Sequence, residues 1–324
     1  MPEITFREAI RQALREEMER DDRVFLIGED IGAYGGTYAV TRGFLEQFGE
    51  RRVVDAPIAE AGIIGTAVGA ALVGLRPVAE MMSVNFTLLA LDQIVNHAAK
   101  IHSMFGGHFS VPMVIRINTG FGQLAATHSQ NFDPWFAYVP GLKVVSPGTP
   151  YDAKGLLKTA IRDPDPVVYI EHGALYNLKG EVPEEEYEVP LGSAEVKREG
   201  HDVTIVTYAR MLQVSLRAAA QLEAEGISCE VVDLRSLRPI DTPTLLESFK
   251  KTNRAVVAEE AWRTLGIGAE IAARIQEEAF DYLDAPIARV AQPEVPLPYA
   301  RELERAAIPD EGDVIRAVKE LLGA

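Results

Sequence analysis

Glu60 stands at the entrance to an apolar, glycine-rich stretch, after Asp55-Ala56-Pro57-Ile58-Ala59 and before Ala61-Gly62, with no lysine or arginine close in sequence. A carboxyl group in surroundings that offer so little solvation suits sharing a proton with a weakly basic ring nitrogen. The same position fits an acid in a first helical turn, where the helix dipole favours it. Gly28-Glu29-Asp30 follows the apolar run Val24 to Ile27 directly. Open parallel sheets place ligand loops at such strand ends, though a turn with solvated acids gives the same spacing. Asn85-Phe86 lies just past another strand-like run, where a phenyl ring either stacks on a flat heterocycle or joins a core. Thr127-His128-Ser129-Gln130 puts a histidine, the natural acid or base near neutral pH, in a long irregular stretch where a lone histidine is often merely exposed. Ala160-Ile161-Arg162-Asp163-Pro164-Asp165 joins a helix end, with its unsatisfied carbonyls, to two acids. Such oxygen-rich groups suit a hard cation, and a helix end before a proline turn accounts for them equally.

The elements that would position these residues alternate along the chain. Thr5 to Asp21 has Phe6, Ile10, Leu14 and Met18 on one helical stripe, with Thr5 and Glu8 forming a capping box. Ala59 to Val73 is a small-residue helix with Gly62, Gly65 and Gly69 available for close packing, and Leu88 to Met104 is a further helix. Strands are expected at 24–27, 77–84, 112–117, 143–145 and 166–171. Thr149 caps a helix that has Pro150 at its first position. Gly120 to Tyr138 is long, aromatic and irregular, the kind of loop that compact domains keep for function. The polar segment Gly180 to Gly192 carries prolines and marks a domain boundary, after which strands (203–207, 229–234, 254–259, 287–291) and helices (211–225, 242–251, 267–280, 312–322) alternate again. Short strands alternating with helices imply parallel sheets with right-handed crossovers. The fold class is α/β, with two open parallel-sheet three-layer domains over 1–185 and 190–324.

Several function classes lack their signatures. There is no phosphate-binding P-loop, no dinucleotide G-x-G-x-x-G opening a helix, no nucleophile elbow and no zinc helix, and the six histidines show no metal spacing. With 324 residues, 47% hydrophobic and 25% charged, the sequence is of ordinary globular composition. A net charge of −16 argues against nucleic acid or anionic membrane as a partner. The longest run free of charged residues and histidine, Ala61 to Leu75, falls short of the ~20 residues that a membrane span needs. The single cysteine, Cys229, reads as a small buried hydrophobe in a reducing compartment. The N-terminus has neither an apolar signal core nor a transit composition, so a bacterial cytoplasmic location is expected, or a mitochondrial matrix one if a presequence was removed.

Taken in order, VFLIGED (24–30), DAPIAEAGIIGTAVGAALVGLRPVAE (55–80), NFTLLALDQIVNHAAK (85–100), HSQ (128–130), PGLKVVSP (140–147), DAKGLLKTAIRD (152–163), RSLRPID (235–241) and VPLPYA (295–300) resemble the β subunit of the 2-oxo acid dehydrogenase first component, closest to its pyruvate dehydrogenase branch. The resemblance covers essentially the whole chain. It implies a thiamine-diphosphate pyrimidine-binding domain followed by a transketolase C-terminal-like domain. It also implies decarboxylation of pyruvate and reductive acetylation of lipoamide together with an α subunit. Glu60 then matches the glutamate that hydrogen-bonds the cofactor's pyrimidine nitrogen, Phe86 the ring that stacks on it, and Glu29 and Ile58 the rest of that pocket. His128 matches the histidine of acyl transfer to lipoamide. Met113, Ala160, Ile161, Asp163 and Asp165 match a structural potassium site; a family member has asparagine at the position of Asp165, a change that a coordinating backbone carbonyl would survive. The family's α subunits hold magnesium and the diphosphate with a GDG…NN motif that this chain lacks. The resemblance therefore implies half a cofactor site, completed in an α2β2 heterotetramer that docks on a lipoyl acyltransferase core. A branched-chain 2-oxo acid or acetoin dehydrogenase β subunit is the alternative within the same chemistry. A non-catalytic α/β interaction module is the alternative outside it, against which Glu60, Phe86 and His128 argue.

Overall fold

The computed structural model describes residues 1–323. The chain forms two compact units, one from residues 1–120 and 135–191, the other from 121–134 and from 192 onward.

The first unit is built on six parallel strands, in the spatial order Lys143–Val145, Val167–His172, Val114–Thr119, Arg76–Met81, Val24–Gly28, Val53–Asp55. Their side chains are almost all buried, as expected of strands covered on both faces. On one face the Phe6–Arg20 helix packs along the Pro150–Arg162 helix. Phe6, Ile10, Leu14 and Met18 meet Leu156, Leu157 and Ile161 in one core cluster; each such side chain contributes roughly 1.5–3 kcal/mol on full burial. Thr5 caps the first helix by accepting from the Glu8 N–H (3.2 Å), and Thr149 caps the second by accepting from that of Asp152 (3.1 Å). The other face carries the Glu60–Leu72 helix and the segment after Met81. That segment is not the single helix 88–104 that periodicity predicts. It runs as a 3-10 helix, Val84–Ala90, then a π-helix, Asp92–Ala98, then an α-turn, Ile101–Met104. At the break, Gly141 lies against the Ala99 carbonyl, where a Cβ would come within 1.9 Å of the oxygen, and Lys100 Nζ donates to the Pro140 carbonyl (2.5 Å). Apolar periodicity does not register such an intrusion. A short antiparallel ribbon, Glu3–Thr5 with Lys179–Glu181, completes the unit.

The second unit has the strand order Ala288–Gln292, Ala255–Trp262, Val203–Thr207, Cys229–Asp233, Glu195–Arg198. The first four are parallel and the edge strand, Glu195–Arg198, is antiparallel. This edge departs from the all-parallel expectation: a short half-buried strand with charged residues lacks the apolar run by which a parallel strand is recognised. The Ala209–Ala224 and Glu311–Leu322 helices share one face, and Thr242–Thr252 and Ile267–Glu278 the other. Cys229 is fully buried, and burial pushes its thiol up to about 11, so it is packing rather than a nucleophile. No described helix is long and apolar enough to cross a membrane.

Residues 121–134, which alternation along the sequence places within the first domain, pack with the second unit. Glu304 accepts from the N–H groups of Gly122 (3.1 Å) and Gln123 (2.8 Å), and the Arg210 guanidinium lies over the Phe121 ring at 4.9 Å.

Candidate active site

Three of the strand ends in the first unit are neighbours: Arg76–Met81, Val24–Gly28 and Val53–Asp55. Gly28 pairs with Glu80 on one side and Asp55 on the other. Their carboxyl ends therefore open at one edge of the sheet, where open α/β folds place ligands. The three loops that leave them carry Glu29, then Ile58 and Glu60, then Phe86. Residues far apart in sequence thus come from adjacent strand ends.

Local chemistry fixes each loop. Gly28 is obligatory because a Cβ would lie 2.9 Å from the Glu80 carbonyl. The Asp55 carboxylate accepts from the N–H groups of Gly32 (2.6 Å) and Ala33 (3.3 Å), tying the Glu29 loop to the strand that leads to Glu60. Asp30 takes a positive φ of 54°, so the chain turns sharply just after Glu29. Ser83 caps the 3-10 helix and accepts from Asn85 Nδ2 (2.6 Å), which sets the turn on which Phe86 stands half-buried.

Glu60 opens the Glu60–Leu72 helix behind an N-cap, Ala59, that offers no side-chain oxygen. It is 9% exposed, and no donor or cation among the described residues is matched to its carboxylate. Glu29 titrates above the usual carboxylate range through burial, then through Asp30 and Glu60. Ile58 beside them is 75% exposed. Two carboxyl groups, a phenyl ring and a bare aliphatic side chain fit a flat, weakly basic heterocycle.

Beneath the site lies a charged network that local sequence patterns give no hint of. Arg116, 3% exposed, pairs with Glu80 and with both oxygens of Glu171, and Tyr176 donates to Glu171 (2.7 Å). Burial works against the Arg116 charge, but Glu171 and Glu80 raise its pKa above the ordinary arginine value. These residues line a small crevice with Tyr38, Met81, Met82 and Asn118.

His128 lies in the second unit, exposed, in the short 3-10 turn Ala126–His128, with its Nδ1 3.1 Å from Thr127 Oγ1. Gln123 and Ala125 before it take positive φ (59° and 65°), a strained backbone for side-chain-bearing residues.

Several of the groups expected to hold potassium already have partners. Arg76 donates to the carbonyls of Ile161 (2.8 Å) and Asp163 (3.1 Å), Lys143 pairs with Asp163 (2.7 Å) and Asp165 (3.1 Å), and the Met113 carbonyl accepts from Val167 (2.9 Å). Ala160 precedes Ile161 in the same helix end. A further cation would have to sit beside a guanidinium and an ammonium, so the set as folded does not fit one. Exchanging potassium for sodium at fixed ionic strength is accordingly expected to leave the melting temperature within about 1 °C, whereas Arg76→Met, which strands two carbonyls, lowers it by a few degrees. Differential scanning calorimetry decides, and a large drop in sodium would show an ion seated beside Arg76.

The transketolase pyrimidine-binding domain model matches residues 2–179, and the transketolase C-terminal domain model matches residues 192–314. A pyruvate dehydrogenase E1 component subunit beta of Rickettsia felis is 52% identical over 320 residues, covering 98% of both chains. The mitochondrial pyruvate dehydrogenase E1 component subunit beta of Saccharomyces cerevisiae is 51% identical over 326 residues, covering 98% of this chain and 89% of its own. Among solved structures, a split-gene transketolase described as an inactive beta4 tetramer superposes with a TM-score of 0.81 at 27% identity, over 99% of this chain and 98% of that one.

Proposed function

Because the chain belongs to the family of pyruvate dehydrogenase E1 component β subunits, we propose that it carries the pyrimidine half of a thiamine-diphosphate site and, with an α partner, decarboxylates pyruvate and acetylates lipoamide. The observation that carries this reading is the convergence of Glu29, Ile58, Glu60 and Phe86 at three adjacent strand ends, with the Glu60 carboxyl unmatched among the described residues. Thiamine diphosphate, when bound, supplies the nucleophilic carbon that adds to a 2-oxo acid and takes up the electrons released with carbon dioxide. Glu60 holds a proton on the pyrimidine ring nitrogen, Phe86 stacks on the ring, and Ile58 and Glu29 close the pocket around it. His128 serves the later transfer of the acyl group, moving a proton at the lipoyl sulfur.

The α partner is needed for two reasons. The chain has no GDG…NN sequence to hold magnesium and diphosphate. The Glu60–Leu72 helix also leaves Gly62, Thr66, Gly69 and Val73 exposed in one stripe. We further assign an α2β2 assembly docked on a lipoyl acyltransferase core.

The test is turnover of the reconstituted α–β pair with pyruvate, a branched 2-oxo acid and acetoin as rival substrates. Pyruvate is expected to give the highest kcat/KM, and a branched acid outrunning it would overturn the assignment. In the same assay His128→Gln is expected to slow lipoyl acetylation about 10²-fold while decarboxylation with an artificial electron acceptor persists. Equal loss of both reactions would remove His128 from the transfer step.

A further inference from the structure

The loop that carries His128 is pinned at its front by Glu304 and Arg210. At its rear Asp133 is 1% exposed, and neither of its carboxyl oxygens has a hydrogen-bond partner among the described residues. Its surroundings are acidic. Glu259 and Glu260 face it from the carboxyl end of the Ala255–Trp262 strand, and Tyr208 from the N-cap of the Ala209–Ala224 helix. Glu259 is matched by the Gly268 N–H (3.0 Å) and Arg289 (3.2 Å), and Glu260 by Arg210 (2.8 Å). Tyr208 is 3% exposed, and its hydroxyl also has no partner among the described residues. Each guanidinium in the pocket therefore has its own glutamate, and Asp133 is left without countercharge. On its own loop Asn131 accepts from the Asp133 N–H (3.0 Å).

We propose that Asp133 seats the His128 loop in the second unit as an uncharged carboxylic acid, which makes it a positioning residue for His128. An ionised carboxylate in this pocket would be desolvated and repelled by two glutamates, whereas the neutral acid is tolerated and has a proton to donate. Burial pushes Asp133 up to about 7, with Asn131 opposing and Glu260 and Glu259 adding to the rise. The unfolded chain ionises at the ordinary aspartate value, so the native state holds the extra proton. The advantage of the seated loop is complete below that ordinary value and is lost as pH climbs through about 7. The alkaline form releases Asp133, and the histidine a few residues upstream loses its rear anchor.

The link to acyl transfer rests on the reading of His128 given above, and the experiment separates the two. Hydrogen exchange of residues 121–134 in the full α–β complex, corrected for intrinsic base catalysis, is expected to rise several-fold between about pH 6.5 and 8.5 in the wild type. Asp133→Asn, of the same shape but without an ionisable proton, is expected to stay flat. Lipoyl acetylation is expected to fall over the same interval in the wild type and to hold its acid-side level in Asp133→Asn, with acceptor-coupled decarboxylation following neither change. Exchange without a pH step, or the same step in both proteins, overturns the seat. Should Asp133→Asn not fold, Asp133→Ser, smaller and neutral, carries the same expectation. An exchange step with no counterpart in acetylation overturns the positioning of His128. If no protein acetylates lipoamide at any pH, the proposed function fails, and exchange alone still decides the seat.

Discussion

Glu60→Gln is expected to lower turnover of the reconstituted pair by roughly 10³–10⁴-fold, at the upper end of what a positioned acid–base group contributes. The substitution keeps shape and volume and removes only the capacity to share a proton. Glu60 stands behind an uncapped helix start, 9% exposed, with no partner among the described residues to be left stranded. The fold therefore has little reason to respond, and neither does assembly. Decarboxylation monitored with an artificial acceptor, alongside sedimentation of the α–β complex, separates the cases. Near-normal turnover would restore the non-catalytic reading, and loss of the complex would mean that Glu60 supports the interface rather than the chemistry.

Gly69→Leu is expected to affect the free chain and its assembly in opposite directions. Nothing lies within 4 Å of a Cβ built at Gly69, and Gly62 and Gly65 meet only distant side-chain atoms at 3.5 and 3.7 Å. Within this chain the glycines fill no steric need, yet each weakens the helix by roughly 1 kcal/mol relative to alanine. Their reason lies in whatever covers the stripe. The leucine variant is thus expected to match or exceed the parent's melting temperature as a free chain. Each overpacked contact should cost assembly about 1–3 kcal/mol or more, a loss of 10–10²-fold in affinity. Gly69→Ala should give a smaller effect of the same sign. Calorimetry of the free chain and titration with the α partner provide both readings; an undiminished affinity would place the interface elsewhere.

The parts of this molecule that sequence makes legible are those whose cause is local. Buried parallel strands appear as unbroken apolar runs, and Val203–Thr207 falls on its expected bounds. Caps at Thr5 and Thr149 follow from side-chain oxygens at the right offset. Glu29 and Phe86 are noticeable because each follows a recognisable strand, and Glu60 because it opens an apolar, glycine-rich helix; the short Val53–Asp55 strand before it is not foreseen, and only the strand order makes the three neighbours. What escapes is set by distance along the chain. Arg116 finds partners 36 and 55 residues away, the edge strand Glu195–Arg198 has no apolar signature, and the loop at 121–134 is claimed by a glutamate about 180 residues later. The π-helix at Asp92–Ala98 has the composition of any amphipathic helix.

The Arg116 network also restricts how this protein can change over generations. Glu80, Arg116 and Glu171 sit on three neighbouring strands, and two carboxylates depend on one guanidinium. Replacing Arg116 abandons two desolvated carboxylates at a cost of about 3–5 kcal/mol, a large share of a typical folding free energy. Losing one carboxylate still leaves the guanidinium a partner, whereas drift at Arg116 alone is blocked. The arginine is thus the last of the three that a lineage can give up.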